Sequence, residues 1–303
     1  MFAKTFLLLA AAQSIVVPFG KPRVIEQPRA PIETAGPLWA AKCAGSADYN
    51  KPAPPVRIHA NTYLVGSCGI SSILIVGDQG DILIDGGTEE DADLIAANIR
   101  ALGFRIQDIR FILNSHEHPD HIGGIAKLQR LSGATLIASA PATKVFQTGV
   151  ATAEDPQAGT LKPVPTAEVG RTIGDNQEVR LGNLMLTAMA TPGHTPGALS
   201  WRWVSCDGGV CRTIVYADSL TPVSSPGYRF RDHPAYLAAY RASIAKIAAS
   251  PCEILLSPHP GASDMPHRLA LGKPLFDTDG CRNYAANLSK QLDERLAKEA
   301  GPK

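Results

Sequence analysis

Ser115-His116-Glu117-His118-Pro119-Asp120-His121 places three imidazoles and two carboxylates in one short segment. It follows an apolar run, Ile109 to Leu113, that reads as a strand. It precedes Ile122, Ile125, Leu128 and Leu131, whose three-residue spacing predicts a helix closed by Gly133. The cluster therefore lies just past the carboxyl end of a strand, where α/β arrangements place ligand-binding residues. Groups this costly to bury, set beside apolar strands, point to metal binding rather than to a solvated turn. In an extended turn His116 and His118 point the same way, whereas the adjacent Asp120 and His121 are expected to diverge, giving two metal groups side by side. A catalytic zinc typically takes three protein ligands, so four here leave two to be found. The candidates are His194, in Thr191-Pro192-Gly193-His194-Thr195-Pro196-Gly197, and His259, in Ser257-Pro258-His259-Pro260. Both follow strand-like runs in Pro- and Gly-rich turns. His59, His233 and His267 have no such neighbours and read as ordinary residues.

Outward from the cluster, Arg57 to Val65, Ile70 to Val76 and Ile82 to Ile84 read as a meander of strands with a turn at Asp78, Gln79 and Gly80. Leu94, Ile95, Ile99 and Leu102 recur at helical spacing between Thr88 and Gly103. In the second half Leu184 to Ala188, Leu199 to Val204, Arg212 to Tyr216 and Glu253 to Leu256 read as strands. Leu237, Tyr240, Ile244 and Ile247 mark one helix, and Leu288, Leu292 and Leu296 a terminal one. Grouped strands with interspersed helices predict an α/β fold, an αββα sandwich of two mixed β-sheets with external helices.

The chain has 303 residues, 45% apolar and 19% charged, the balance of a globular protein with a substantial core. A formal net charge of +1 gives no reason to expect nucleic acid or a membrane surface as partner; a small molecule is the default. Residues 1–20 combine a basic start with an apolar run cut short by Pro18 and Gly20. This reads as a secretory signal peptide rather than a membrane anchor. Residues 21–55, rich in Pro and Ala without periodicity, read as an extended lead-in, and 56–303 as the catalytic domain. Cys43, Cys68, Cys206, Cys211, Cys252 and Cys281 are an even set in a chain expected to enter an oxidising compartment. Order along the chain favours Cys43 with Cys68, Cys206 with Cys211 and Cys252 with Cys281.

The pattern His116-x-His118-x-Asp120-His121, with Asp85 in Ile84-Asp85-Gly86-Gly87 before it and His194 and His259 after it, resembles the metallo-β-lactamase superfamily. The resemblance covers about Arg57 to Leu296. Within the superfamily the chain is similar to subclass B3 metallo-β-lactamases in the run Tyr216-Ala217-Asp218-Ser219-Leu220-Thr221, in the His194 turn followed by Ser200-Trp201, and in the late pair Cys252 and Cys281. The resemblance implies two zinc ions, the first on His116, His118 and His194 and the second on Asp120, His121 and His259. Asp85 would orient the ligand turn without binding metal.

By the same resemblance the activity is hydrolysis of the β-lactam amide bond of penicillins, cephalosporins and carbapenems by a metal-bound hydroxide, which Asp120 orients. Ser219 and Thr221 would receive the substrate carboxylate, and Gln157 matches a polar residue near the active site of some relatives. An exported, periplasmic, monomeric enzyme conferring antibiotic resistance, with no nucleic-acid partner and no stable membrane anchor, is the expectation. In glyoxalase II-like hydrolases an Asp near position 218 bridges both metals; the Ser219 that follows it here matches the B3 enzymes, where that Asp is not a ligand. The rival readings are a thioesterase of glyoxalase II type or a lactonase on the same fold, and a non-catalytic zinc-scavenging protein, against which three ligands per metal argue.

Overall fold

Apolar alternation within the strands decides the layering. In the computed structural model, which describes residues 29–46 and 48–300, Ile73 and Ile75 face one way along their strand and Leu74 and Val76 the other, and all four are buried. Such strands need cover on both faces, and here a second sheet supplies one cover and helices the other.

The first sheet has seven strands in the order β1 (Val56–His59), β2 (Thr62–Leu64), β3 (Ile73–Gly77), β4 (Gly80–Ile84), β5 (Ile109–Leu113), β6 (Thr135–Ala138) and β7 (Val169–Thr172). The pairs from β1 to β4 are antiparallel and those from β4 to β7 parallel. The second sheet contains β8 (Glu178–Leu181), β9 (Leu184–Ala190), β10 (Leu199–Asp207), β11 (Val210–Tyr216) and β12 (Ile254–Leu256), ordered β12-β11-β10-β9-β8, with only the β11–β12 pair parallel. Ile73, Ile75, Ile82 and Ile84 of one sheet share a core with Leu186, Leu199, Trp201, Trp203 and Tyr216 of the other. The outer face of the first sheet is covered by α2 (Asp91–Ala101), α4 (Ile125–Ser132) and α5 (Ala140–Thr148), through Ile95, Ile99, Leu128 and Phe146. The second is covered by α6 (Pro234–Ala249) and α8 (Gly280–Glu299), through Tyr240, Ile247, Leu288 and Leu292. The αββα sandwich of two mixed sheets is the observed architecture.

Three details depart from the sequence reading. The lead-in 21–55 is not extended throughout: α1 (Ile32–Cys43) runs through it, with Trp39 fully buried in the inter-sheet core cluster and the helix packed on α7 (Met265–Ala270). Pro37 inside the helix hid a spacing of Ile32, Ala35 and Trp39 that is helical. The helix expected from Ile122 to Leu131 is broken into α3 (Pro119–Ile122) and α4 at Gly123-Gly124. A Cβ on Gly124 would lie 2.2 Å from the Gly86 carbonyl oxygen, so glycine lets the ligand turn close against the end of β4. Between Thr135 and Leu181, β6, α5, β7 and β8 occupy a stretch whose mixed polarity shows no clear period.

The cysteines are joined as Cys43–Cys68, Cys206–Cys211 and Cys252–Cys281. Among the described residues no helix is long and apolar enough to cross a membrane. The signal peptide expected at 1–20 lies outside the described residues.

Candidate metal centre

Strand ends bring the histidines together at one edge of the sandwich. His116 and His118 follow β5, Asp120 and His121 lie in the single turn of α3, His194 follows β9, and His259 follows β12. The rings of His116, His118 and His194 stand 4.7 to 4.9 Å apart between centroids. One ligand atom from each lies within 4.8 Å of the others. Beside them, His121 Nε2 is 3.3 Å from His259 Nε2 and 3.3 Å from Asp120 Oδ2, and Asp120 Oδ2 is 3.5 Å from His259 Nε2. His116 stands at the seam, also within reach of Asp120 and His121. The expectation that Asp120 and His121 diverge is therefore incorrect. Both sit in a helical turn rather than an extended one, and their functional atoms converge on one point.

Four of the five imidazoles have their outward nitrogen hydrogen-bonded. His116 Nδ1 lies 2.8 Å from Asp218 Oδ1 and His118 Nε2 3.0 Å from Asp155 Oδ2. His194 Nδ1 lies 2.9 Å from the Thr221 carbonyl oxygen and His259 Nδ1 3.2 Å from that of Gly69. His121 Nδ1 faces Asp85 Oδ2 at 3.6 Å, an ion-pair rather than a hydrogen-bond distance. With the four bonded nitrogens donating outward, the lone pairs of His116 Nε2, His118 Nδ1, His194 Nε2 and His259 Nε2 are left for the centre, to which His121 also presents its Nε2. His116 Nε2 is buried and has no hydrogen-bond partner. An orphaned imidazole nitrogen amid three other imidazoles and a carboxylate is a donor set that fits zinc.

The charge states agree with this geometry. Burial, reinforced by the neighbouring imidazoles, pushes His116 well below the usual histidine range and His194 down to about 3. Burial also takes His259 to about 4, its second cause being His121. Burial works against the charged forms of His121 and Asp120 as well, but each is overcome by the other: Asp120, with Asp85, lifts His121 to about 10, and His121 holds Asp120 below the carboxylate range. Burial thus favours the neutral forms of His116, His194 and His259, while mutual contact favours the charged forms of Asp120 and His121, so a metal taken up at His121 Nε2 would displace its proton.

Asp85, with a left-handed φ of 64°, accepts hydrogen bonds from the Ser115 amide (2.6 Å), the Ser115 hydroxyl (2.7 Å) and the Tyr216 hydroxyl (2.7 Å). A non-glycine residue held in that conformation, with its carboxylate fully buried, stores strain that its partners offset. Ser219 is buried and its hydroxyl has no partner; Thr221 packs against His194, its Oγ1 3.1 Å from Nδ1. Gln157 is half-buried and its backbone N–H donates to Asp155 Oδ1. His59, His233 and His267 stand apart from both groups. Two functional positions escaped the sequence reading. Asp155 carries no signal beyond its place before Pro156. Glu117, inside the motif, gives no hint of where its carboxylate goes.

The model of the metallo-beta-lactamase superfamily matches residues 65–259. Among solved structures, MIM-2 metallo-β-lactamase is 51% identical, with a TM-score of 0.85, covering 88% of this chain and 99% of the other. MEM-A1, a subclass B3 metallo-β-lactamase from a soil metagenome library, is 45% identical with a TM-score of 0.81, covering 84% and 99%. A probable metallo-hydrolase of Burkholderia pseudomallei (strain 1710b) is 29% identical over 45% of this chain. The hydroxyacylglutathione hydrolase of Methylococcus capsulatus is 27% identical over 39% of it. The match spans about half the length, or less, of these two curated relatives (48% and 39%). A family match over most of the fold, a matching structure over nearly its whole length and this ligand geometry lead to one conclusion: the chain belongs to the metallo-β-lactamase superfamily.

Proposed function

We propose that this protein is a subclass B3 metallo-β-lactamase, hydrolysing the β-lactam amide bond with two zinc ions. The observation that carries the reading is the pair of abutting groups, His116/His118/His194 and Asp120/His121/His259, each with three donors brought together by strand ends and the α3 turn. Zinc held there would lower the pKa of water toward neutrality and polarise the lactam carbonyl.

The chain's own residues do the rest. Asp120, whose carboxyl the neighbouring His121 holds below the usual range, is 26% exposed and can hold and orient a water. Asp218, Asp155 and the Thr221 carbonyl fix the imidazoles of the first group, and Asp85 and the Gly69 carbonyl those of the second. Ser219, Thr221 and Gln157 are assigned to the carboxylate that penicillins, cephalosporins and carbapenems share; the unpartnered Ser219 hydroxyl has a donor to give. Asp218 argues against a thioesterase of glyoxalase II type, since its Oδ1 is already engaged by His116 Nδ1.

Three disulfides and the B3 likeness support an exported, periplasmic enzyme whose activity confers antibiotic resistance. We assign 56–303 to a single catalytic domain, with α1 packed on it, acting as a monomer. The test is hydrolysis of a carbapenem by the purified protein, followed by absorbance, beside a glutathione thioester as control. Turnover of the carbapenem that stops with a chelator and returns with zinc supports the reading. Zinc uptake with an intact β-lactam and a cleaved thioester rejects it.

A further inference from the structure

Glu117 lies between two ligand histidines yet faces away from both, and only 3% of it is exposed. Its Oε2 accepts the Thr195 hydroxyl at 2.7 Å and its Oε1 the Gly197 amide at 2.7 Å, partners 78 and 80 residues further along the chain. Thr195 directly follows His194. Gly197 has no side chain to obstruct the contact: a Cβ there would stand 2.7 Å from Oε1. The Gly197 carbonyl is held in turn by the Ser139 hydroxyl at 2.7 Å, which also caps α5. The other link between the two turns among the backbone bonds is the Leu199 amide to the Ser115 carbonyl, 2.6 Å.

Burying a carboxylate is costly unless its bonds are made. A glutamate kept there with both oxygens bonded to the other turn acts on the distance between the turns. That distance sets the first group, because His116 and His118 come from one turn and His194 from the other, with rings 4.7 to 4.8 Å apart. We infer that Glu117 is a positioning residue, a clamp that holds the His194 turn against the His116–His118 turn and so pre-forms the three-histidine zinc group. The inference rests on the metal-centre reading above, but not on which substrate is cleaved.

The test measures zinc affinity by competition with a chromophoric chelator, and cobalt(II) absorption as a report on ligand geometry, in folded protein checked by circular dichroism. Glu117→Ala should weaken first-group zinc binding roughly 10- to 100-fold, as loss of an outer support does elsewhere, and alter the cobalt spectrum. Glu117→Gln should restore affinity to within a few-fold, since its oxygen accepts the Gly197 amide and its amide donates to the Thr195 hydroxyl. Should Glu117→Ala not fold, Thr195→Val removes one arm of the clamp with little change in volume and should weaken binding several-fold. A lowered melting temperature with wild-type zinc affinity and spectrum would mark a purely structural residue and overturn the clamp. Wild-type protein that takes up no zinc would instead overturn the metal-centre reading itself.

Discussion

Replacing Asp85 by Ala strips three donors of their acceptor in a fully buried place. The Ser115 amide has no other acceptor, and the Ser115 hydroxyl keeps only a 3.2 Å contact with His116 Nδ1, itself a donor in this tautomer, while the Tyr216 hydroxyl keeps the Ser71 carbonyl at 3.3 Å. Two orphaned donors and one weakened bond come to about 4 kcal/mol, and alanine in the left-handed region adds about 1 kcal/mol. Release of the carboxylate from burial offsets part of this, leaving about 3 kcal/mol, a large share of a typical domain's stability. Asp85→Asn separates folding from metal binding. Asparagine tolerates the φ of 64° and keeps an oxygen for Ser115, so its cost should be about 1 kcal/mol. It removes the negative charge facing His121 Nδ1, so affinity at the second group should fall roughly 10-fold or more. Urea unfolding of the metal-free protein reads the first quantity and zinc titration the second. Asp85→Ala within about 1 kcal/mol of wild type, or Asp85→Asn with undiminished zinc affinity, would refute the reasoning.

Three further outcomes follow from the packing and the charges. Trp39→Ala should cost about 3 to 5 kcal/mol by emptying a fully buried site, whereas Trp39→Phe should cost much less, because the indole N–H makes no hydrogen bond; thermal melts compare them. Replacing Cys252 and Cys281 by Ser frees a loop spanning 29 residues and should lower stability by about 3 to 4 kcal/mol on loop-closure entropy, read in urea. Glu299 is half the story of how the C-terminal helix meets the loop before α6. Burial disfavours its charge, but Arg295 and the Arg231 and Phe230 amides hold its carboxyl below the usual range. A depressed folded-state pKa stabilises above the unfolded value of about 4.3, and that stability is lost as pH falls through the folded value. Glu299→Gln should thus lower the melting temperature at pH 7 and do so progressively less as pH falls below the unfolded value; a loss that does not shrink with pH would contradict the assignment.

The fold was legible where apolar runs have a clean period. β3, β4, β5 and the helices containing Ile95, Tyr240 and Leu288 all lie where periodicity puts them, because burial on a sheet or helix face imposes it. It was illegible where a local signal conflicts with the tertiary outcome. Pro37 sits inside α1, and β7, almost wholly exposed at a sheet edge, needs no apolar face. At the site, the density of imidazole and carboxylate was readable because such groups are rarely placed together without cause. The convergence of Asp120 and His121 was not, since it depends on one turn of helix that Pro119 starts and Gly123-Gly124 ends. Asp155 and Glu117 could not be read at all: their partners are contacts across 37 to 80 residues, which no spacing rule encodes.

The loop around Asp155 and Pro156 has a consequence for how such an enzyme changes. Asp155 grips a histidine of the first group, its next neighbour but one is Gln157, and the Pro156 carbonyl accepts the Ser225 amide from the loop that also carries Thr221. Residues that would meet the substrate and residues that steady the metal ligands therefore share the same few links of chain. On the function proposed above, a change that reshapes this loop to admit a different substrate would also disturb the histidine that Asp155 holds, so substrate range and metal retention would be coupled through one short stretch of backbone.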